Sequence, residues 1–410
     1  MERFDALVIG AGAAGAVAAL KLSREGCRTL LIDKAARVGG HSAGKVDITQ
    51  DAGIRGIILE LGIPRKPFVS HSNKSEWNSR NSSFFLESSV TDLFVARGRR
   101  EDSFEALVSG KAEDAGCELR LSTQVKILEL GEGGFSALEL ASNGSRAMVK
   151  ADCIIAADGT RSGFAKSCFP SLAKEREVVI SGHGMLAKGL CLDGCPTRIY
   201  FDSELLPGGY FYMGACGREG EGVAAAVVDS ALASGRGAKW FFDRFAGKNK
   251  AVRTAVSRAK VRGTFSGSCS AGRMPSRHHR NALFAGDAAR LLDPLLGYGL
   301  NHAIFSGYHA ARAWVEKRWE GSEAVAREYE AALAEKVLPE LNDGERAKRV
   351  FNRLSNQDLD MLVGFLDQVS EKVKLDEFFD SPSRYPAELL GTLASRPKYA
   401  LLLRHLHHLL

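Results

Sequence analysis

The 410-residue chain has no apolar run near the ~20 residues that span a bilayer, and no charged-then-apolar leader precedes its first strand-like segment, Phe4 to Ile9. A cytoplasmic location is therefore expected, with peripheral membrane contact left open. The eight cysteines, at 27, 117, 153, 168, 191, 195, 216 and 269, show no CxxC spacing and no companion histidines, which argues against zinc. Cys191 and Cys195 are the only close pair and fit either two buried thiols or a redox couple. A formal charge of +6 falls short of the concentrated basicity of nucleic-acid binders. Internal repeats and low-complexity tracts are also missing. What remains, 45% apolar and 25% charged residues, is the composition of an ordinary globular protein, long enough for two or three domains.

Residues 4 to 33 read as strand, glycine turn, helix and strand, one half of a βαβ unit, with Gly26 as helix stop and Asp33 closing the second strand. Between the first strand and the helix lie Gly10, Gly12, Ala13, Ala14 and Gly15. Gly10 permits the tight turn, Gly12 lets the backbone approach a pyrophosphate, and Gly15 allows close helix-to-strand contact; the anion then sits on the helix N-terminus. Asp33, with Lys34 beside it, is placed to accept hydrogen bonds from an adenosine ribose. A carboxylate there repels a 2′-phosphate, so the dinucleotide is expected to be FAD or NAD rather than NADP.

Further along, residues 34 to 90 look like loops and small elements. Residues 100 to 116 fit an amphipathic helix capped by Asp102 or Ser103 and stopped by Gly116. Short strands around an Asn143-Gly144 turn suggest a β-meander before the strand at Cys153, with Val125 on the first of them. Residues 166 to 270 alternate like an antiparallel sheet, the strand at Asn281 returns to the first domain, and helices dominate from about 299.

Two more blocks decide between the cofactors. Asp158-Gly159 follows the strand at Cys153, and Gly286-Asp287 precedes the turn Gly297, Tyr298, Gly299, Leu300, Asn301. Asp287, at the carboxyl edge of a strand, can hold a ribityl hydroxyl, and the helix that starts past Gly299 would point its amides at the pyrimidine end of a flavin. With the glycine loop, these blocks resemble the three signatures of hydroxylase-type flavoproteins, in order and over nearly the whole chain. Within that group the chain is most similar to the geranylgeranyl reductase family. The family's flavin loop corresponds to Ser42-Ala43-Gly44, its arginine to Arg97, its aromatic motif to Pro207, Tyr210, Tyr212 and Gly214, its proline before the Gly-Asp strand to Pro275, and its Ser-Gly pair to Ser306-Gly307.

The resemblance implies an α/β fold. A Rossmann-type FAD-binding domain with a β-meander would take residues 1–165 and 271–345, an inserted antiparallel-sheet substrate domain 166–270, and a helical C-terminal region 346–410. It also implies FAD as cofactor and reduction of C=C bonds in an isoprenoid or other apolar substrate, with Tyr210 and Tyr212 lining the substrate pocket. This chain departs from the family where serine replaces the loop cysteine, and where Tyr212 and Gly214-Ala215 replace a tryptophan and a Phe-Pro pair. No second glycine fingerprint serves NADPH, so the electron donor is either a transient NAD(P)H or a protein carrier. A monooxygenase or halogenase of the same fold is the alternative enzyme, though the Trp-x-Trp-x-x-Ile-Pro motif of halogenases is absent; a flavin-free prenyl-lipid binder is the non-enzymatic one.

Other features stay open. His183 is either a proton donor or a satisfied strand histidine. Arg253, Arg258, Lys260, Arg262, Arg273, Arg277 and Arg280 fit a solvated face, a substrate phosphate or an anionic membrane. The tail from Tyr399 to Leu410 fits packing against the body, membrane docking or a partner.

Overall fold

The computed structural model describes residues 1–40, 45–50, 53–131, 134–142, 144–173, 178–190, 192, 195–215, 220–373, 392, 399, 401 and 402. The chain opens with β1 (Glu2–Ile9), α1 (Ala13–Arg24) and β2 (Thr29–Ile32). α1 is alanine-rich and buried from Ala13 to Ser23, because small side chains let it sit between a sheet and two other helices. Lys21 inside that stretch keeps its charge through Glu25 at 2.7 Å and Glu60 at 3.0 Å, which outweigh the desolvation opposing it.

Next come β3 (Lys45–Gln50), α2 (Arg55–Glu60), β4 (Phe68–Asn78) and β5 (Ser83–Arg97). The expectation of loops and small elements for residues 34 to 90 is thus corrected for its second half, where β4 and the start of β5 are long strands. The pattern of β4, FVSHSNKSEWN, hides this, because its polar side chains are held by pairing with β5 rather than by an apolar face of their own.

α3 (Phe104–Asp114) is capped by Ser103, whose hydroxyl accepts from the Ala106 amide, and it ends before Gly116 at φ +95°. After it run β6 (Glu118–Arg120), β7 (Thr123–Gly131), β8 (Gly134–Ser142), β9 (Ser145–Ala156) and α4 (Gly163–Cys168). The meander strand and the Cys153 strand are one element, β9, which pairs with β8 near its start and with β1 along its later part. Gly144 turns the chain at φ +83°, while Asn143 lies outside the described residues.

The middle of the chain gives β10 (Val178–Lys188), β11 (Thr197–Tyr200), β12 (Tyr210–Ala215), β13 (Glu221–Asp229), α5 (Ala238–Lys248), α6 (Lys250–Arg258) and β14 (Lys260–Ala271). The strand-rich reading of this block missed α5 and α6, whose Phe242, Phe245 and Val252 pack on Phe211 and Met213. The chain then adds β15 (His278–His279), β16 (Ala282–Phe284), α7 (Leu300–Lys317), α8 (Ser322–Lys336), α9 (Leu338–Phe351) and α10 (Asn356–Ser370).

Two eight-stranded sheets result. The first runs β15-β16-β9-β1-β2-β6, parallel from β16 to β6, with β7 and β8 as the meander. The second runs β14-β10-β13-β12-β11-β4-β5-β3, antiparallel except where β11 meets β4. It recruits residues 45 to 97, so its strands begin well ahead of residue 166. α9 clasps it through buried Lys348, which donates to the Gly208 carbonyl and lies 3.7 Å from Asp229.

The remaining open features find places. His183 on β10 shares a 2.6 Å hydrogen bond with Ser266 and meets Phe242 edge-on, a structural role. Cys195 is buried against the Thr197 carbonyl at 3.1 Å, and Cys191 lies outside the described residues. The arginine-rich segment spreads over α6, β14 and the loop before β16, with Arg273 beside Glu345 at 3.8 Å. Of the tail, Tyr399 packs against Phe365 on α10; most of the rest lies outside the described residues. No helix among the described residues is long and apolar enough to cross a membrane.

α1 and α7 meet where a Cβ on Gly307 would stand 2.1 Å from the Ala14 carbonyl oxygen. Backbone cannot yield as a side chain does, so Gly307→Val is expected to lower unfolding stability by about 1–3 kcal/mol or more. Urea unfolding followed by circular dichroism checks this.

Candidate functional site at the strand tips

At the carboxyl ends of β1, β9 and β16 three glycine-containing turns converge. Gly10, at φ +102°, lies so close to the end of β9 that a Cβ there would stand 2.3 Å from the Ala157 carbonyl and 3.0 Å from Asp158 Cα. A Cβ on Gly15 would fall 1.8 Å from the Gly10 carbonyl. These two glycines are required by packing. Gly12 differs: it caps α1 in an extended conformation, and a Cβ there would meet nothing within 4 Å. The first turn of α1 has no acidic residue and no side-chain cap, so its amides face open space. That is the environment an anion takes at a helix N-terminus.

Asp33 holds this loop in shape. One carboxylate oxygen accepts from the Ala11 amide and the other from the Ala35 amide, both at 2.8 Å. Each oxygen keeps a further lone pair for a ribose hydroxyl. Lys34 is exposed, and Val125 on β7 is half-buried two residues past Thr123, whose amide donates to the Asp33 carbonyl.

Asp158 accepts from the Phe164 amide at 3.3 Å, while its other oxygen is buried without a partner. Burial pushes this carboxyl above the usual carboxylate range, against the pull of Ser162 and nearby amides. Gly159 follows at φ +84° with open space where a Cβ would go. An orphaned acceptor beside an uncapped helix and a side-chain-free cradle is a set that a polar dinucleotide satisfies.

Gly286, at φ +60°, would bring a Cβ within 3.1 Å of the Ala14 Cβ, which seats the third turn on α1. Ser306 on α7 secures it, accepting from the Gly286 amide at 2.9 Å and donating to the His302 carbonyl at 2.6 Å. A Cβ on Gly299 would be 3.5 Å from Asp287 Oδ1, so Asp287 borders the start of α7. Gly299 caps α7 without a side-chain bond, and buried Leu300 begins the helix. Asn301 accepts from the Thr49 hydroxyl, which ties the first turn of α7 to β3.

The turn before α7 is wound tightly: the Asp293 amide donates to the Tyr298 carbonyl at 2.8 Å and the Gly297 amide to the Asp293 carbonyl at 3.0 Å. Gly297, at φ +74°, lies against Ile180 of the second sheet. Tyr210 on β12 donates to the Leu296 carbonyl, and the Tyr212 ring lies 6.2 Å from the Tyr210 ring. An aromatic wall of the second sheet thus closes on the turn that leads into α7. Burial raises the Tyr210 and Tyr298 phenols far above their ordinary value, so both stay neutral.

Arg97 does not present a free cation. Its guanidinium binds Glu105 at 2.5 Å and Asp47 at 2.8 Å, and these partners overcome the desolvation that works against its charge. Ser42, Ala43 and Gly44 lie outside the described residues. Sequence reasoning overlooked Thr49 and the acid Asp92 on β5; an acid amid the apolar letters of TDLFVA was the available signal. Among the described residues no cluster of His, Cys, Asp and Glu could hold a metal ion.

Known proteins share this arrangement. A family model described as FAD binding domain matches residues 3–333. A digeranylgeranylglycerophospholipid reductase of Methanosphaerula palustris is 25% identical over 403 residues, covering 95% of this chain and 97% of the relative. One from Thermoplasma volcanium is 28% identical over 383 residues, covering 91% and 93%. A crystal structure of a geranylgeranyl bacteriochlorophyll reductase-like protein from Thermoplasma acidophilum superposes with a TM-score of 0.81 at 22% identity, covering all of both chains.

The contrast between Gly12 and Gly15 is testable. Gly12→Asp keeps a favoured helix cap but sets a carboxylate where a phosphate would lie; it is expected to purify folded, with FAD affinity lowered at least about tenfold, on the order of 1.4 kcal/mol. Gly15→Val is expected to lose folding stability itself. Flavin absorbance and thermal melts of both variants check the split.

Proposed function

The chain belongs to the FAD binding domain family and is an FAD-dependent oxidoreductase, and from that premise we propose that it reduces C=C bonds of an isoprenoid or similarly apolar chain. The observation that carries the proposal is the aromatic wall of Tyr210 and Tyr212 closing on the turn before α7. Aromatic rings offer apolar area at little conformational cost, and together with neutral buried phenols they suit a long apolar chain better than a charged metabolite. The named activity of the Methanosphaerula and Thermoplasma relatives supports the same substrate class.

Reduced FAD supplies a hydride equivalent at such a site. The amides of α1 at Gly12, Ala13 and Ala14 would hold the pyrophosphate, with Asp33 on the adenosine ribose and Asp287 on the ribityl chain. Asp158 Oδ1 would gain the partner it lacks. The N-terminus of α7, from Gly299 to Asn301, would put its positive end beside the pyrimidine edge, where negative charge collects on reduction. Tyr210 and Tyr212 would orient the chain and exclude water. The electron donor is proposed to be NAD(P)H visiting transiently or a protein carrier, and any contact with a membrane-borne substrate is proposed to be peripheral.

Photoreduced protein mixed anaerobically with polyprenyl lipids tests the reading. Reoxidation of the flavin with loss of a double bond, seen by mass spectrometry of the lipid, is the expected result. No reoxidation by any polyprenyl lipid, with oxygen uptake stimulated instead by an aromatic compound, would replace the reductase by a monooxygenase.

A further inference from the structure

Saturating a C=C bond takes two hydrogens, and a hydride delivered to one carbon leaves its neighbour in need of a proton from an acid in the same water-poor space. β5 carries such an acid. Its pairing with β4 is interrupted after Glu87 and resumes at Asp92, which aligns with Ser72 on β4 and with Gln50 on β3. Interruptions of this kind re-aim side chains. Residues two apart on a strand share a face, so Asp92 lies on the side of Phe94. Phe94 packs with Tyr212, and its ring is 2.6 Å from where a Cβ on Gly214 would stand. Leu93 and Val95, on the opposite side, belong to the core of the first sheet. Asp92 therefore belongs to the aromatic wall and not to the body beneath it.

On the opposite face Thr49, which pairs with Leu93, bonds Asn301, so this end of β3 and β5 lies beside the first turn of α7. Tyr298, in the turn before that helix, lies within electrostatic reach of Asp92, as of Tyr210, Tyr212 and Asp293, and these groups add to the burial that raises its phenol. Among the described residues Asp92 has no hydrogen-bond or ion-pair partner, whereas Asp33, Asp47, Asp158 and Asp293 are all engaged.

We propose that Asp92 is the acid that completes the reduction. Its carboxyl O–H gives a proton to the alkene carbon beside the one that accepts hydride; the π bond is replaced by two C–H bonds, the reduced flavin is oxidised by two electrons, and the carboxylate regains a proton from water. This rests on the reductase reading above. Burial, with no opposing charge, pushes the Asp92 carboxyl up to about 6, so it can both lose and recover a proton near neutrality. Its register partners Gln50 and Ser72 do not ionise; Tyr298 is the ionisable group that couples to it, with Tyr210, Tyr212 and Asp293 coupling to that phenol in turn, while His71 pairs with Leu93 on the other face.

The holoenzyme, photoreduced and mixed with a polyprenyl lipid across a pH series, tests the proposal. The donor must be protonated, so the wild-type rate of flavin reoxidation should fall as pH rises through about 6. Asp92→Asn should lower that rate by about 10²–10⁴-fold and flatten the profile, with flavin content and melting unchanged, while Asp92→Glu recovers part of the rate with a limb of its own. Asp92→Ser stands in if the amide variant misfolds. Difference infrared titration of the resting holoenzyme should show a protonated-carboxyl band that is missing from Asp92→Asn. An unchanged rate and pH profile in Asp92→Asn, or an unchanged band, overturns the assignment. A wild type that reduces no polyprenyl lipid yet keeps the band overturns the reductase reading, and the proton-delivery role with it.

Discussion

The structure depends on one steric constraint: the glycine loop, α1, the end of β9 and α7 must pack main chain against main chain at the tips of one parallel sheet. Main-chain atoms occupy the places where side chains would be at Gly10, Gly15 and Gly307, with separations of 2.3, 1.8 and 2.1 Å from built Cβ positions to carbonyl oxygens. No rotamer change relieves contacts of that kind, because the obstacle is backbone. The same approach brings two uncapped helix N-termini to one edge of the sheet, and their fields favour negative charge there. Pyrophosphate at one end and reduced flavin at the other are anionic, so packing and chemistry make the same demand.

The second sheet is placed by a different kind of interaction. Arg97 joins β5, β3 and α3 through Glu105 and Asp47, and Lys348 joins α9 to the turn at Gly208. Buried pairs of this type add little net stability after desolvation, but breaking one leaves an uncompensated charge and costs more than the pair contributed. In the same arrangement β12 meets the turn before α7, with Tyr210 bonded to the Leu296 carbonyl and Thr49 to Asn301.

Carboxylates around the site divide according to surroundings. Asp33 takes one backbone amide on each oxygen and keeps lone pairs for a ribose; Asp158 has one oxygen bound and one waiting; Asp92, on the face of Phe94, holds its proton more tightly than an ordinary carboxyl. Identical side chains acquire separate tasks because desolvation and hydrogen bonding move their proton affinities apart. A reductase of apolar chains needs that separation: polar anchors for the nucleotide, and an acid available only where the chain lies.

Much of the first sheet was readable from the chain alone. The turn at Gly10, the stop at Gly26, the cap at Ser103 and the turn at Gly286 are decided by the conformational range of a few adjacent residues, and such local signals survive in sequence. The convergence of the three blocks on FAD chemistry was legible for the same reason. The reach of the second sheet back to residue 45 was not, since β3 and β5 join it only through β4, whose other neighbour is β11, more than a hundred residues on. Nor did the sequence single out Asp92 from the other acids. A carboxyl becomes an acid of interest only through what surrounds it, and here strand register and the docking of two sheets, both non-local, supply the surroundings.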